Sequence, residues 1–261
     1  MKAYCINLEN RTDRLDYMAN EFSRVGMPFE RMIAVDGQDP DIIAQAKESN
    51  LNMDRYQIST NAYACFQSHR KVWQALVDSD EKYAMVFEDD LIFANDISQY
   101  LDEAWIPDNA GLIRLETFNT RVHVDSGAGH SAGPRRLVRM RSRHVGAGCY
   151  VLSAEMARFL LNETKKIEGP VDEVLFNDQS RLYNELNVYQ MCPAPAIQGK
   201  REPSGGGENK WVESSILERS FGGDSGASKK TESFAARIKR RVQEEWTARQ
   251  QGTNYIVIPF G

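Results

Sequence analysis

The segment Tyr83-Ala84-Met85-Val86-Phe87-Glu88-Asp89-Asp90 ends an apolar run on three consecutive acids. The run reads as a buried strand, which puts the carboxylates at its carboxyl end. In open α/β sheets, ligands bind in the crevice beyond those ends. Adjacent carboxylates repel one another, so folding alone gives little reason for the triplet. A hard divalent cation gives one, because it takes oxygen ligands and brings a positive charge able to neutralise a diphosphate. A solvated acidic turn is the competing reading. Alternation in an extended segment puts Glu88 and Asp90 on one side and Asp89 on the other.

The elements that must position these acids alternate along the chain. Strand patterns at 4–8, 31–35, 83–88, 111–115 and 147–152 are interleaved with helical ones at 15–25, 39–48, 66–77 and 154–161. Leu15, Met18, Phe22 and Val25 share one helical face. Residues 126–134, with Gly127, Gly129 and Gly133, read as a loop. Such alternation predicts an α/β layer structure with a mostly parallel central sheet flanked by helices.

Composition narrows the function. The chain has 261 residues, 41% of them hydrophobic, enough for one large domain or two small ones and for a real core. A net charge of −5 argues against a general nucleic-acid binder. No apolar run approaches the ~18 residues of a membrane span, and the opening residues read as a strand, not a signal peptide. Cys5, Cys65, Cys149 and Cys192 lie far apart in apolar contexts, as reduced thiols of a cytoplasmic protein would.

The last 60 or so residues differ. Gly205, Gly206 and Gly207 break regular structure, and 221–230 is rich in Gly and Ser. Phe234, Ile238, Val242 and Trp246 then recur every four residues, surrounded by Lys229, Lys230, Arg237, Lys239, Arg240 and Arg241. A basic amphipathic helix of this kind lies on an anionic membrane surface, here the cytoplasmic face over 229–246, or docks its stripe on the body of the protein. The run from Arg135 to Arg143 is a second basic cluster, read either as a site for an anionic glycolipid or as an edge strand protected by charge.

Several motifs resemble those of glycosyltransferase family 25, which includes bacterial lipopolysaccharide glycosyltransferases and collagen galactosyltransferases. Asn7-Leu8 with Arg11 and Arg14 looks like its Ile-Asn-Leu-x-x-Arg-x-x-Arg opening. Ala34-Val35-Asp36-Gly37 is similar to its Ala-x-Asp-Gly, and Cys65-Phe66-Gln67-Ser68-His69 with Trp73 to its Cys-x-x-Ser-His-x-x-x-Trp. Glu88-Asp89-Asp90, Cys149-Tyr150-Val151-Leu152-Ser153 and Pro170-Val171-Asp172 match later motifs in the family's order. The resemblance implies a GT-A-like domain over 1–200, followed by an extension over 201–261. It also implies a UDP-sugar donor, Mn²⁺ or Mg²⁺ as cofactor, and inverting transfer of a hexose, most often galactose, to a glycan acceptor such as a lipopolysaccharide or lipooligosaccharide precursor. A non-catalytic glycan- or nucleotide-binding relative and a metal-dependent nucleotide-sugar hydrolase are the alternatives.

Within that reading the residues take roles. Asp90 contacts the metal, with Glu88 beside it or on the ribose, while Asp89 joins the donor site or hydrogen-bonds behind it. Asn7, Arg11 and Arg14 belong to the donor site, since arginine suits phosphate recognition. The arginines are alternatively ordinary charges at a helix start, Arg14 pairing with Asp13 or Asp16. Asp36 accepts a ribose hydroxyl or closes a turn. His69, on one helix face with Trp73, orders the acidic loop, and Ser68 contributes to the same network. Asp172 is the candidate base for the acceptor hydroxyl, its other reading being a helix N-cap; Glu173 and Glu116 are the alternates. A further metal ligand late in the chain, expected of GT-A enzymes, has no assignable residue, Asp224 being one candidate.

Overall fold

The computed structural model describes residues 1–51, 58–199 and 234–261. Strand β1 (Lys2–Asn7) leads into helix α1 (Thr12–Arg24), which buries Met18 and Phe22 as its periodicity predicts. Strand β2 (Glu30–Ile33) pairs in parallel with one side of β1. Helices α2 (Pro40–Leu51) and α3 (Thr60–Val77) follow, α3 opening on Ser59, whose hydroxyl accepts the Ala62 N–H. Strand β3 (Tyr83–Glu88) then pairs in parallel with the other side of β1. The chain therefore winds away from β1 in both directions. The carboxyl ends of β1 and β3 form a topological switch point, where α/β sheets open a binding crevice.

Strands β4 (Leu91–Phe93), β5 (Leu112–Arg114), β6 (Glu116–Thr117), β7 (Arg121–Asp125), β8 (His130–Ala132), β9 (Arg135–Arg139) and β10 (Cys149–Ser153) occupy the middle of the chain. Helices α4 (Ala154–Glu163), α5 (Val171–Phe176) and α6 (Tyr183–Leu186) precede strands β11 (Val188–Cys192) and β12 (Ala196–Gln198). Helix α7 (Phe234–Gln250) and strand β13 (Thr253–Val257) complete the described elements.

The central sheet has eight strands in the order β2-β1-β3-β10-β5-β11-β9-β8. It is mixed: β10 runs against both β3 and β5, and β9 against both β11 and β8. The other strands share one direction, so the mostly parallel expectation describes the strand directions and misses the two reversed insertions. Both faces are covered. Ala84 and Val86 of β3 pack with Phe66 and Trp73 of α3 and Leu160 of α4, whereas Met85 and Phe87 pack with Met18 and Phe22 of α1. This two-sided burial makes β3 continuously apolar, and its alternation carries Glu88 to the α3 side.

Three expectations change. The stretch read as a loop over 126–134 contains β8, with Gly127, Gly129 and Gly133 at positive φ around it. The run from Arg135 is not an edge strand, since β9 lies between β11 and β8. Its charges are largely matched inside the protein: Arg135 by Asp96, Arg141 by Asp125 and Arg143 by Glu173.

The third concerns the C-terminal helix. Val242 and Trp246 are 62% and 64% exposed, so they do not dock on the body. The helix attaches through buried Ala248 and through Glu244 and Glu245, which pair with Arg121. Of Phe234, Arg237, Ile238 and Lys239 only the helical backbone is described, and Lys229, Lys230, the glycine-rich stretch and Asp224 lie outside the described residues. Beyond α7, β13 pairs with β7, and Thr117 Oγ1 donates to the Ile258 carbonyl, returning the chain to the body. Among the described residues no helix is long and apolar enough to cross a membrane.

Candidate active site

The acidic triplet sits at the switch point: Glu88 ends β3, and Asp89 and Asp90 form the turn that follows, so strand alternation does not extend to Asp90. Asp89 points to the β1 side, where Asn7 Nδ2 and Arg14 Nη1 each donate to its carboxylate at 2.7 Å. Asn7 is itself buried. Its second Nδ2 bond goes to the Arg11 carbonyl and its Oδ1 accepts from Arg31 of β2. One asparagine thus joins the end of β1, the β1–α1 turn, β2 and the acidic loop. Arg14 pairs with Asp89 across 75 residues. The side chains of this ion pair are only 14% and 11% exposed, so solvent screens it less than a surface pair.

Glu88 points the other way, into a chain of hydrogen bonds with a fixed polarity. Trp73 Nε1 lies 2.9 Å from the Tyr150 hydroxyl, which lies 2.8 Å from His69 Nδ1, and His69 Nε2 lies 3.3 Å from Glu88 Oε1. An indole N–H only donates. The Tyr150 oxygen accepts from Trp73, and His69 Nδ1 is its other hydrogen-bond neighbour among the described residues, so the hydroxyl satisfies its own hydrogen by directing it there. That leaves the hydrogen of His69 on Nε2, facing Glu88. Burial pushes His69 down to about 4, so the ring is neutral at neutral pH. Cys65 Sγ also approaches Glu88, and the three groups lie within 4.8 Å of one another. A metal bound there would displace the Nε2 proton and take its lone pair. Burial holds the Cys65 thiol well above its usual range, so it too stays protonated. Ser68 serves the same helix from behind, its hydroxyl accepting the Val35 N–H.

Tyr150→Phe tests this polarity. It strands a buried indole donor and is expected to cost about 1–3 kcal/mol in denaturant unfolding. Nitrogen NMR of His69 should show the Nε2–H form in the wild type and lose that preference in the variant.

Asp90 and Glu116 are different in kind from Asp89. Among the described residues, Asp90 Oδ1 and Glu116 Oε2 are buried without a hydrogen-bond partner. Glu116 is fully buried; its Oε1 lies 3.1 Å from Arg114 Nη2 and accepts the Gly148 N–H at 2.8 Å. Burial is the first cause that raises Asp90, Glu88 and Glu116 alike, and repulsion from neighbouring carboxylates adds to each. Unpartnered carboxylate oxygens that repel one another are what an oxygen-seeking divalent cation relieves, so the donor set fits Mn²⁺ or Mg²⁺.

Two glycines bring backbone to these acids. A Cβ on Gly148 would stand 2.9 Å from Glu116 Oε2 and 3.2 Å from Gln198 Nε2. Gly146 has φ +91° and donates its N–H to Asp172 Oδ2 at 2.8 Å. Asp172 is the second residue of α5 and does not N-cap it, that position being Pro170. The Gly146 backbone that it holds also passes Glu116, a Cβ there standing 3.0 Å from Glu116 Oε1, which places Asp172 at the same cleft. The alternates are less free. Glu173 is clamped by Arg143 and Asn177, and the Arg143 contact holds its carboxyl below the usual range. Glu116 is too buried to meet an acceptor hydroxyl.

The remaining expected residues make local bonds in the turns after β1 and β2. Arg11 Nε and Nη2 grip Asp13 at 2.9 and 2.8 Å. Asp36 is exposed and accepts the Gln38 N–H, closing the turn after β2. Sequence reasoning overlooked Cys65 and Gln198 as neighbours of the acids, and saw Glu116 only as a spare base. The acid just past the 111–115 strand was its one available signal.

Comparison with known proteins bears on this geometry. The family model described as glycosyltransferase family 25 (LPS biosynthesis protein) matches residues 1–175, the stretch that supplies all the acids above. The chain belongs to glycosyltransferase family 25. It is 31% identical over 192 residues to the lacto-N-neotetraose biosynthesis glycosyltransferase LgtB of Neisseria meningitidis serogroup B, covering 68% of each chain. It is 29% identical over 214 residues to LgtE of Neisseria gonorrhoeae, covering 76% of this chain and 74% of that one. The lipooligosaccharide biosynthesis protein lic2B of Haemophilus influenzae is 25% identical over 206 residues, 75% of each chain. A solved glycosyltransferase involved in glycosylation of the major capsid of PBCV-1 aligns with a TM-score of 0.37 and 7% identity over 76% of this chain and 91% of that one, too distant to carry an argument.

Proposed function

We propose that this family 25 glycosyltransferase moves a hexose, with galactose the favoured sugar, from a UDP-sugar to a glycan acceptor on a lipopolysaccharide or lipooligosaccharide precursor, with inversion at the anomeric carbon. The observation that carries the reading is the pair of buried, unpartnered carboxylate oxygens of Asp90 and Glu116 at the switch-point crevice. The names of LgtB, LgtE and lic2B support the acceptor class.

Asp90 and Glu88 would hold Mn²⁺ or Mg²⁺, with Glu116 behind them. When bound, the ion supplies positive charge to offset the negative charge that builds on a departing diphosphate. Asn7 and Arg14 fix Asp89, and through it the loop that aims Asp90. Arg11 and Asp36, in the turns after β1 and β2, would meet phosphate and ribose. Asp172 takes the proton of the acceptor hydroxyl. The acceptor oxygen bonds to the anomeric carbon from one side as the bond to the UDP oxygen breaks on the other.

The test is UDP release from a panel of UDP-sugars with Mn²⁺, with and without a lipooligosaccharide-derived glycan. Release that depends on the glycan is the expected result. Equal release without it would identify a hydrolase, and intact donor binding with no release across the panel would identify a non-catalytic relative.

A further inference from the structure

We propose that the cleft beside Arg139 binds an anionic sugar residue of the acceptor glycan, one that carries a phosphate or carboxylate, away from the residue that receives the hexose. The inference deepens the acceptor reading given above. Arg139 ends β9, and its row in the sheet runs through Tyr189, Ile113 and Val151 to Met85. Four strand spacings separate β9 from β3, about 20 Å. Residues in one row share a face of the sheet, so Arg139 stands on the α1 side with Met85, whereas Glu88 meets His69 of α3 on the other. The cavity beside Arg139 has a volume of about 390 Å³, a size suited to a monosaccharide.

Charge and hydrogen bonding select the occupant. Arg139 is half-buried, its guanidinium lies over the Tyr189 ring at 5.4 Å from the centre, and its Nη1 is buried with no hydrogen-bond partner among the described residues. Burial, and then the charge of Arg141, works against its cation. The carboxylate in the lining, Asp125, is already held by Nε and Nη2 of Arg141 at 2.6 and 2.7 Å. The cleft therefore presents an oriented cation with an unmet donor, which an oxyanion relieves on both counts. Neutral polar groups complete it. The Tyr189 hydroxyl donates to Asn109 Oδ1 at 3.3 Å, leaving the Asn109 Nδ2 hydrogens for sugar hydroxyls. Gly129 has φ +73°, and a Cβ there would overlap the Leu137 carbonyl oxygen, so bare backbone closes the wall between β8 and β9.

The test is calorimetric titration of the full chain, without metal or donor, with glucose 6-phosphate, glucuronate, glucose and inorganic phosphate. Without metal the acids of the crevice repel anions, so binding reports the Arg139 cleft. At least one of the two anionic sugars is expected to bind, about tenfold or more tightly than inorganic phosphate, with glucose silent. Which of the two binds tells phosphate from carboxylate. Arg139→Gln should weaken that binding about tenfold or more. Arg139→Lys keeps the charge and loses the fork, so it should fall between, and it carries the comparison where glutamine disturbs folding. Arg136→Gln, exposed on the opposite face of β9, should leave binding unchanged. Equal binding by wild type and the folded Arg139 variants would overturn the proposal. So would a wild type that binds neither anionic sugar, or one that holds inorganic phosphate as tightly. The titration contains no UDP-sugar. Its failure would leave glycan-dependent UDP release intact, and failure of that assay would leave the titration intact.

Discussion

Asp90→Asn is expected to lower kcat/KM by about a thousandfold or more while making the metal-free protein more stable. The two effects have one cause. Asp90 is half-buried, pressed by Glu88, Asp89 and Glu116, and its enclosed Oδ1 has no hydrogen-bond partner among the described residues. A charge in that setting serves a ligand and not the fold. Asparagine keeps the shape and removes the repulsion, a gain of about 1–2 kcal/mol. UDP release in the presence of acceptor reads the loss, and thermal unfolding without metal reads the gain. The pH dependence gives a second check. Asp90 and Glu88 are both raised above their ordinary values of 3.8 and 4.5. Between those values and the raised ones, the native state keeps protons that the unfolded chain has released. The stability of the metal-free protein therefore falls as pH rises from the ordinary carboxylate range towards neutrality. In the variant the fall should be shallower. A variant with full activity, or one less stable than the wild type at neutral pH, would remove Asp90 from the role given to it.

Asp172→Asn should reduce kcat by about a hundredfold to ten-thousandfold and leave the KM for the donor nearly unchanged. The carboxylate has backbone support from the Gly146 N–H, which an amide oxygen can also accept, so the variant should fold. Glu173→Gln is the control. It removes the partner of Arg143 on a partly solvated face and should cost at most about 1 kcal/mol of stability. If Glu173→Gln were the variant that lost turnover and Asp172→Asn kept it, the base would be Glu173. Steady-state kinetics with the acceptor varied at saturating donor separates these outcomes.

The strand carrying the acids was legible because burial on both faces leaves an uninterrupted apolar run, and a run that ends on Glu88-Asp89-Asp90 announces its own crevice. The opposite orientations of Asp89 and Glu88 match the period expected of an extended chain, although Asp89 already stands in the turn after β3. Asp36 and Arg11 were placed at the ends of the elements that carry them, though each also satisfies a local bond. The C-terminal stripe was read correctly as helical, but periodicity is blind to which face meets the body. Ala248 and the Arg121 contacts decide that, and they leave Trp246 outside.

The sequence by itself determined the alternation of elements, the family and the order of the acids, because these depend on near neighbours and local pattern. Only the tertiary structure decided the partners. Asn7 and Arg14 come to Asp89, Trp73 and Tyr150 set the tautomer of His69 before Glu88, and Glu116 arrives at the same cleft from β6. The reason is physical: two strands inserted against the direction of their neighbours bring residues 80 positions apart into contact, as with His69 and Tyr150 at a separation of 81. No local propensity encodes such a meeting, since its free energy comes from burial and pairing that exist only once the sheet has closed.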